Sequence, residues 1–265
     1  MVKEKVILIS IDGMRPDGFL ACGNPYIHEM MANSYYSLDA VNVFPTVTLP
    51  CHMSMFHSVP PERHGITTNI YLPMARPLPG LFEQLNAAKS VNAMYWGWPP
   101  LQDIHRPASV KFGELIQAYT EESSDTSLTD AALARIEKSK PDFVFLYMVE
   151  TDEKGGHDSG WMTEEYLRRV SIAVDNVKRV VEACGEEYTI VVTSDHGGHD
   201  RSHGTTMPED STIPMFFFGK MFPKGERFAG GSILDIAPTI TDIMGADPAD
   251  EWEGKSLLRL ATQEA

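Results

Sequence analysis

The sequence predicts an α/β fold in which a central, mainly parallel β-sheet is flanked by helices on both faces. Two observations predict it. Continuous apolar runs of strand length recur along the chain, as in strands covered on both sides. Helical periodicity appears between them, and strand alternating with helix is the signature of a doubly wound sheet.

Strands are expected at residues 5–11, 37–43, 91–96, 143–149, 188–193 and 214–218. The first runs Val6-Ile7-Leu8-Ile9 and closes at Asp12-Gly13. After the second, Pro50 suits the first turn of a helix, with Thr48 near its N-terminus. Residues 71–127 are less regular and carry Pro73, Pro77, Pro79, Pro99, Pro100 and Pro107, so part of this region reads as an insertion near a site mouth. The clearest helix is 165–184, where Leu167, Val170, Val174, Val177 and Val181 recur at three- and four-residue spacing. Thr163 is its expected N-cap and Gly185 its stop. From about Ala246 the chain is acidic and expected on the surface. At 265 residues, the whole of 1–265 reads as one domain.

Lys and Arg number 22 against 37 Asp and Glu, a net charge of −15. That balance argues against nucleic-acid polymers and anionic membranes, and any anionic substrate must be drawn in locally. Cys22, Cys51 and Cys184 are odd in number and widely spaced, so no disulfide framework is implied and a reducing cytoplasm is expected. The apolar run at 6–11 is too short for a signal peptide, and no segment approaches the roughly 18 apolar residues of a membrane span. The oligomeric state has no readable signal.

The most informative stretch follows the run at 188–193. Ser194-Asp195-His196-Gly197-Gly198, then His203, places carboxylate and imidazole in a glycine-rich loop leaving a strand. Such groups bind zinc-like ions. Asp12-Gly13, Glu150-Thr151-Asp152 with His157, and the segment from Phe44 to His52 also follow strands. Ligands gather beyond the carboxyl ends of strands in open α/β sheets, so these loops are expected to converge. Thr48 has two readings: an ordinary N-cap threonine, or a nucleophile activated by a nearby metal, with free helix N–H groups holding the attacked anion.

Taken together, these pieces resemble the alkaline phosphatase superfamily, most closely its nucleotide pyrophosphatase/phosphodiesterase branch. The matching segments are Ile11-Asp12-Gly13, Pro45-Thr46-x-Thr48-x-Pro50-x-His52, Pro61-Glu62-Arg63-His64-Gly65-Ile66 with Asn69, Glu150-Thr151-Asp152 with His157, and Ser194-Asp195-His196-Gly197 with His203. Asp235-Ile236-Ala237-Pro238-Thr239 and Glu253-Gly254-Lys255-Ser256-Leu257 add two more. The resemblance implies an alkaline phosphatase-like fold and a two-zinc site, with manganese also acceptable to an Asp/His ligand set. It implies one metal on Asp152, His157 and His203, and another on Asp12, Asp195 and His196 beside Thr48. Thr48 would form a phospho-threonine, with Asn69 stabilising the phosphoryl charge. The implied activity is hydrolysis of a small organic phosphodiester or pyrophosphate, including nucleotides, so the expected partner is a small-molecule phosphate ester.

Two departures stand out. Four residues separate Asp152 from His157 where relatives often have three, and Cys51 stands where many carry Asn. A small buried helix residue is the simplest reading of Cys51. His52 and His64 are expected to be structural, His199 to sit near the ligands, and Arg15 and Arg63 to make surface salt bridges. Trp96-Gly97-Trp98 reads equally as core packing or as an aromatic wall over the site. The alternatives are a phosphonate (C–P) hydrolase or phosphomonoesterase of the same superfamily, or a metal-binding pseudoenzyme.

Overall fold

The computed structural model describes residues 4–263. Eight strands form one sheet: β1 (Lys5–Ile11), β2 (Tyr35–Val41), β3 (Asn92–Trp96), β4 (Phe112–Leu115), β5 (Phe143–Met148), β6 (Tyr188–Thr193), β7 (Thr212–Phe218) and β8 (Glu226–Arg227). The spatial order is β4-β3-β5-β1-β6-β7-β2-β8. Only β7 runs against its neighbours β6 and β2; every other pairing is parallel.

Strict alternation along the buried strands divides two cores. Val6, Leu8, Phe145, Tyr147, Val191 and Phe217 face one side. There they meet α3 (Thr48–His57), a helix at Leu81–Ala87 and another at Ile236–Met244. Ile7, Ile9, Val144, Leu146, Ile190 and Val192 face the other, against α1 (Pro16–Ala21), α2 (Tyr26–Asn33) and helices at Ser124–Ser139 and Glu164–Cys184. Helices therefore cover both faces, as the pattern of apolar runs predicted.

The expected strand at 37–43 lies two residues earlier, the expected strand at 214–218 starts at Thr212, and β4 and β8 carried no readable signal. Both missed strands are short, and their side chains are largely exposed. Much of 71–127 is woven into the sheet: β3 pairs with β5, and β4 with β3. The loops leaving β3 and β4 bring Trp98 and Tyr119 to a cleft at the sheet edge. Thr163 does cap the long helix, accepting from the Tyr166 N–H.

The acidic C-terminal segment corrects its expectation. Asp247, Asp250, Glu251 and Glu253 are exposed, but Ala246, Ala249, Leu257 and Leu258 are buried, and Trp252 donates its Nε1–H to Pro79 O at 2.9 Å. The few apolar residues between the charges close one side of the core. The two late motifs bind each other: Asp235 accepts from the Lys255 N–H at 2.7 Å, and the Thr239 hydroxyl accepts from the Leu257 N–H at 2.9 Å.

One clamp holds the loop leaving β5. The buried Asp125 carboxylate accepts the N–H groups of Val149 and Glu150 at 2.9 and 3.1 Å. Glu150 is itself held by Lys154 and Arg169, each at 3.0 Å. Burial, then the neighbouring Glu150 charge, push the Asp125 carboxyl up to about 7. An unfolded-chain aspartate ionises near ~3.9. The folded state therefore keeps this proton longer, and the group's contribution to stability is full below about pH 4 and lost as pH rises toward about 7. Urea unfolding at pH 5 and pH 8 should show Asp125→Asn losing less stability over that interval than wild type, by on the order of 2–3 kcal/mol. Equal losses would count against the clamp's raised pKa.

Candidate metal centre and active site

The site forms where β5, β1 and β6 lie side by side. Ile11 pairs with Met148, and Ser10 with Thr193, so the three strands end level with one another. Asp12, Asp152 and the Asp195-His196 pair leave those ends and meet. All three carboxylates are buried, as are His196 and Thr48. Gly13, at φ +66°, makes the approach possible: a Cβ there would lie 3.0 Å from Asp152 Cβ.

Two groups result. The ligand atoms of Asp152, His157 and His203 lie within 4.8 Å of one another, and so do those of Asp12, Asp195 and His196. The His196 and His203 rings stack with centroids 3.9 Å apart, so the groups adjoin. Each histidine is aimed by a backbone carbonyl. His196 Nδ1–H donates to Gly197 O at 2.8 Å, His203 Nδ1–H to Thr46 O at 2.8 Å, and His157 Nδ1–H to Arg201 O at 3.0 Å. That fixes the tautomer and turns each Nε2 lone pair toward the carboxylates. His196 Nε2 lies 3.3 Å from Asp12 and 3.4 Å from Asp195, and His157 Nε2 is 3.4 Å from Asp152.

The four residues between Asp152 and His157 lie in a π-helical turn, Thr151–His157. A turn with i→i+5 hydrogen bonding brings residues five apart together. Trp161 braces it, donating Nε1–H to Gly13 O at 2.9 Å with its ring against Gly156, where a Cβ would land 2.5 Å away.

Thr48 is not an N-cap. Val47 holds that position, the helix has no side-chain cap, and the Thr48 hydroxyl lies 3.1 Å from His196 Nε2. Part of the expected set of free N–H groups at this terminus is taken: Leu49 N–H donates to Asn69 Oδ1 at 3.0 Å, Pro50 has none, and Cys51 N–H donates to Val47 O. Because Asn69 spends its carbonyl on Leu49, its Nδ2 is the donor it has for the cleft it lines.

Several contributors escaped sequence reasoning. Tyr147 donates its hydroxyl to Asp12 Oδ2, and Asn42 donates to Asp195 O and to Cys51 Sγ. His52 touches Asp195 at 3.4 Å while its Nδ1–H donates to Thr48 O and its Nε2 accepts from Ser10. Tyr147 sits on β5 five residues before Asp152, where it reads as core; strand alternation alone does not say that its ring tip reaches the site. His64 bonds to Ser54, His199 to Asp210, and Cys51 is fully buried. Arg15 pairs with Asp17 and Arg63 with Glu253; neither lines the cleft.

The electrostatics favour a positive charge at this point. Burial, then the charges of Asp195 and Asp152, hold the Asp12 carboxyl well above the usual carboxylate range. Burial and Asp195 do the same to Asp152, and burial raises Asp195. Burial depresses His196 to about 4, and burial with the neighbouring His196 depresses His203 to about 3.

Over residues 6–239 the sequence matches the family described as type I phosphodiesterase / nucleotide pyrophosphatase. The chain belongs to that family. A curated relative, the 2,3-bisphosphoglycerate-independent phosphoglycerate mutase of Clostridioides difficile (strain 630), is 30% identical over 144 residues, covering 52% of this chain. The chain thereby spans only 28% of the mutase's length. Among solved structures, murine ectonucleotide pyrophosphatase/phosphodiesterase 5, as an inactive variant in complex with AMP, superposes with a TM-score of 0.81 over 99% of both chains at 15% identity. A phosphonate monoester hydrolase from Silicibacter pomeroyi gives 0.77 at 16% identity, over 99% of this chain and 77% of its own. These likenesses show the expected alkaline phosphatase-like fold.

For a member of the type I phosphodiesterase family, the donor atoms fit divalent ions. Asp12 Oδ1, Asp152 Oδ1 and Asp195 Oδ2 are buried with no hydrogen-bond partner. One oxygen of each carboxylate is thus left for a cation, beside the aimed Nε2 atoms. Chelator-treated protein should bind two Zn²⁺ ions and gain about 5 kcal/mol of stability at hundredfold excess over Kd, about half of it from each site. Asp195→Asn should lose about half of that gain. Calorimetry and thermal unfolding check both, and an unchanged melting temperature would count against these groups as metal sites.

Proposed function

We propose that this chain is a metal-dependent hydrolase of small phosphodiesters that uses Thr48 as nucleophile. The carrying observation is the Thr48 hydroxyl, buried at the start of α3 and 3.1 Å from His196 Nε2, on the shared border of two Asp/His groups. Asp12, Asp195 and His196 would hold one zinc or manganese ion, and Asp152, His157 and His203 the other. Bound there, such ions acidify a nearby hydroxyl and neutralise phosphoryl oxygens.

The chain's own residues do the rest. Packing of α3 against the sheet holds Thr48 Oγ1 at the cleft floor, on a helix whose first turn is tied down through Asn69. Thr48 attacks phosphorus as its proton passes to water; the Thr48–phosphorus bond forms, the bond to the leaving oxygen breaks, and that oxygen takes up a proton from water and departs as the alcohol. Asn69 Nδ2 donates to a non-bridging oxygen as charge gathers there. Water then attacks the phospho-threonine, the Thr48–phosphorus bond breaks, and the hydroxyl is restored.

The charge of the cleft favours diesters. Among the described residues no Lys or Arg lines it, whereas Glu153 does. A diester brings one negative charge and a monoester close to two, so the diester meets less repulsion. A phosphonate bearing a carboxylate finds no fixed cation here. The AMP held by the murine relative supports a small phosphate ester as ligand. No helix among the described residues is long and apolar enough to cross a membrane, and all three cysteines are unpaired, which fits a cytoplasmic enzyme.

With bis-p-nitrophenyl phosphate, Thr48→Ala should lower kcat/KM about 10⁴-fold or more while keeping its metal. The wild type should prefer this diester to p-nitrophenyl phosphate at matched concentration. Near-normal turnover by Thr48→Ala would overturn the mechanism, and a faster monoester rate would overturn the substrate class.

A further inference from the structure

Residues 199–205 form a loop on which two of the histidines of the metal centre depend. His203 is part of it, and its Arg201 carbonyl accepts from His157 Nδ1–H at 3.0 Å. Both belong to the Asp152, His157 and His203 group. The loop buries little of its own, since Asp200, Arg201 and Ser202 are exposed. Exposed segments with few buried contacts open at low free energy unless something ties them down. In the middle, Trp161 N–H donates to Asp200 O at 2.8 Å.

The two ends are tied by a single carboxylate. Asp210 lies in the short helix Pro208–Ser211, just before β7, and is fully buried. Its Oδ1 accepts from His199 Nδ1–H at 2.7 Å, and its Oδ2 accepts from the Thr205 N–H and hydroxyl at 2.9 and 2.8 Å. Burial works to raise this carboxyl, but the bonds from His199 and Thr205 outweigh it and hold it below the usual carboxylate range. It is therefore ionised, and hydrogen bonds to an ionised acceptor are the strong ones. Thr205 passes the restraint on: its carbonyl accepts from the Thr46 hydroxyl at 2.8 Å, and Thr46 O is the group that aims His203. The Asp210 main-chain carbonyl serves the other group, accepting from Gly197 N–H beside His196 at 2.9 Å, and a change of side chain leaves that acceptor in place.

We propose that the Asp210 side chain is a positioning residue for one metal ion only. By closing residues 199–205 with both carboxylate oxygens, it holds His203 and the Arg201 carbonyl where Asp152, His157 and His203 can take a divalent ion. His199 is its partner at the start of the loop. This rests on the metal sites of the phosphodiesterase reading, and not on the chemistry of Thr48.

Calorimetric titration with Zn²⁺ against a competing chelator tests this in two single-site backgrounds. Asp195→Asn keeps intact only the Asp152, His157 and His203 group, and His203→Ala only the Asp12, Asp195 and His196 group. Groups that orient metal ligands are typically worth about 10- to 100-fold in affinity, so adding Asp210→Asn to the first background should weaken its ion by that factor. Added to the second, it should leave the affinity unchanged. His199→Ala, at a partly exposed position, should weaken the same ion in the first background, and it decides the matter if Asp210→Asn does not fold. Affinity unaltered by these changes in the first background overturns the proposal. So does an equal loss in both backgrounds, which is what a general contribution to folding gives. If the Asp195→Asn parent itself binds no zinc, the metal reading fails and the proposal falls with it.

Discussion

Three carboxylates buried within reach of one another are the constraint on which the rest of this structure depends. Burial removes the water that would screen the three; Asp195 further raises the cost of ionising Asp12 and Asp152, and Asp152 adds to it at Asp12. Without cations such a cluster is an electrostatic fault in the middle of the sheet edge. With them, the unpartnered oxygens would serve as ligands and the repulsion would be offset by binding. The neutral, strongly depressed histidines follow from the same burial, which keeps Nε2 unprotonated where a ligand is needed.

Much of the surrounding architecture restrains those side chains. The parallel β5-β1-β6 trio supplies rigid, level strand ends. Main-chain carbonyls of Thr46, Gly197 and Arg201 orient the three histidines, so the loops that carry them cannot shift without losing hydrogen bonds. Asp125 pins the start of the β5 loop, and Trp161 fills the space that Gly156 and Gly198 leave open. A side chain at either glycine would displace that ring, and with it a contact of His157.

The site was legible where chemistry depends on residue type and order. Asp12, Thr48, Asp152, His157, Asp195, His196 and His203 stand in recognisable segments just past apolar runs, and the structure brings all seven together. Asn69 also lines the same cleft. What could not be read were partners drawn from inside elements. Tyr147 and Asn42 look like an ordinary strand residue and an ordinary loop residue, yet they bond to Asp12 and Asp195. The fate of the α3 N–H groups was equally hidden, because Asn69 reaches Leu49 across 20 residues. Short strands such as β4 failed for a different reason: four half-exposed residues bury too little to leave a pattern.

The sequence by itself determined the alternation of strand and helix, the apolar faces of the central strands and the inventory of groups able to bind metal and attack phosphorus. These follow from local periodicity and side-chain chemistry, which each residue carries wherever it is placed. Only the tertiary structure decided that β1 lies between β5 and β6, that a π-helical turn carries Asp152 and His157, and that Trp98, Tyr119 and Glu153 line one cleft. Those outcomes depend on contacts between segments tens to hundreds of residues apart. Their geometry comes from packing and strand register, which no single stretch of sequence contains.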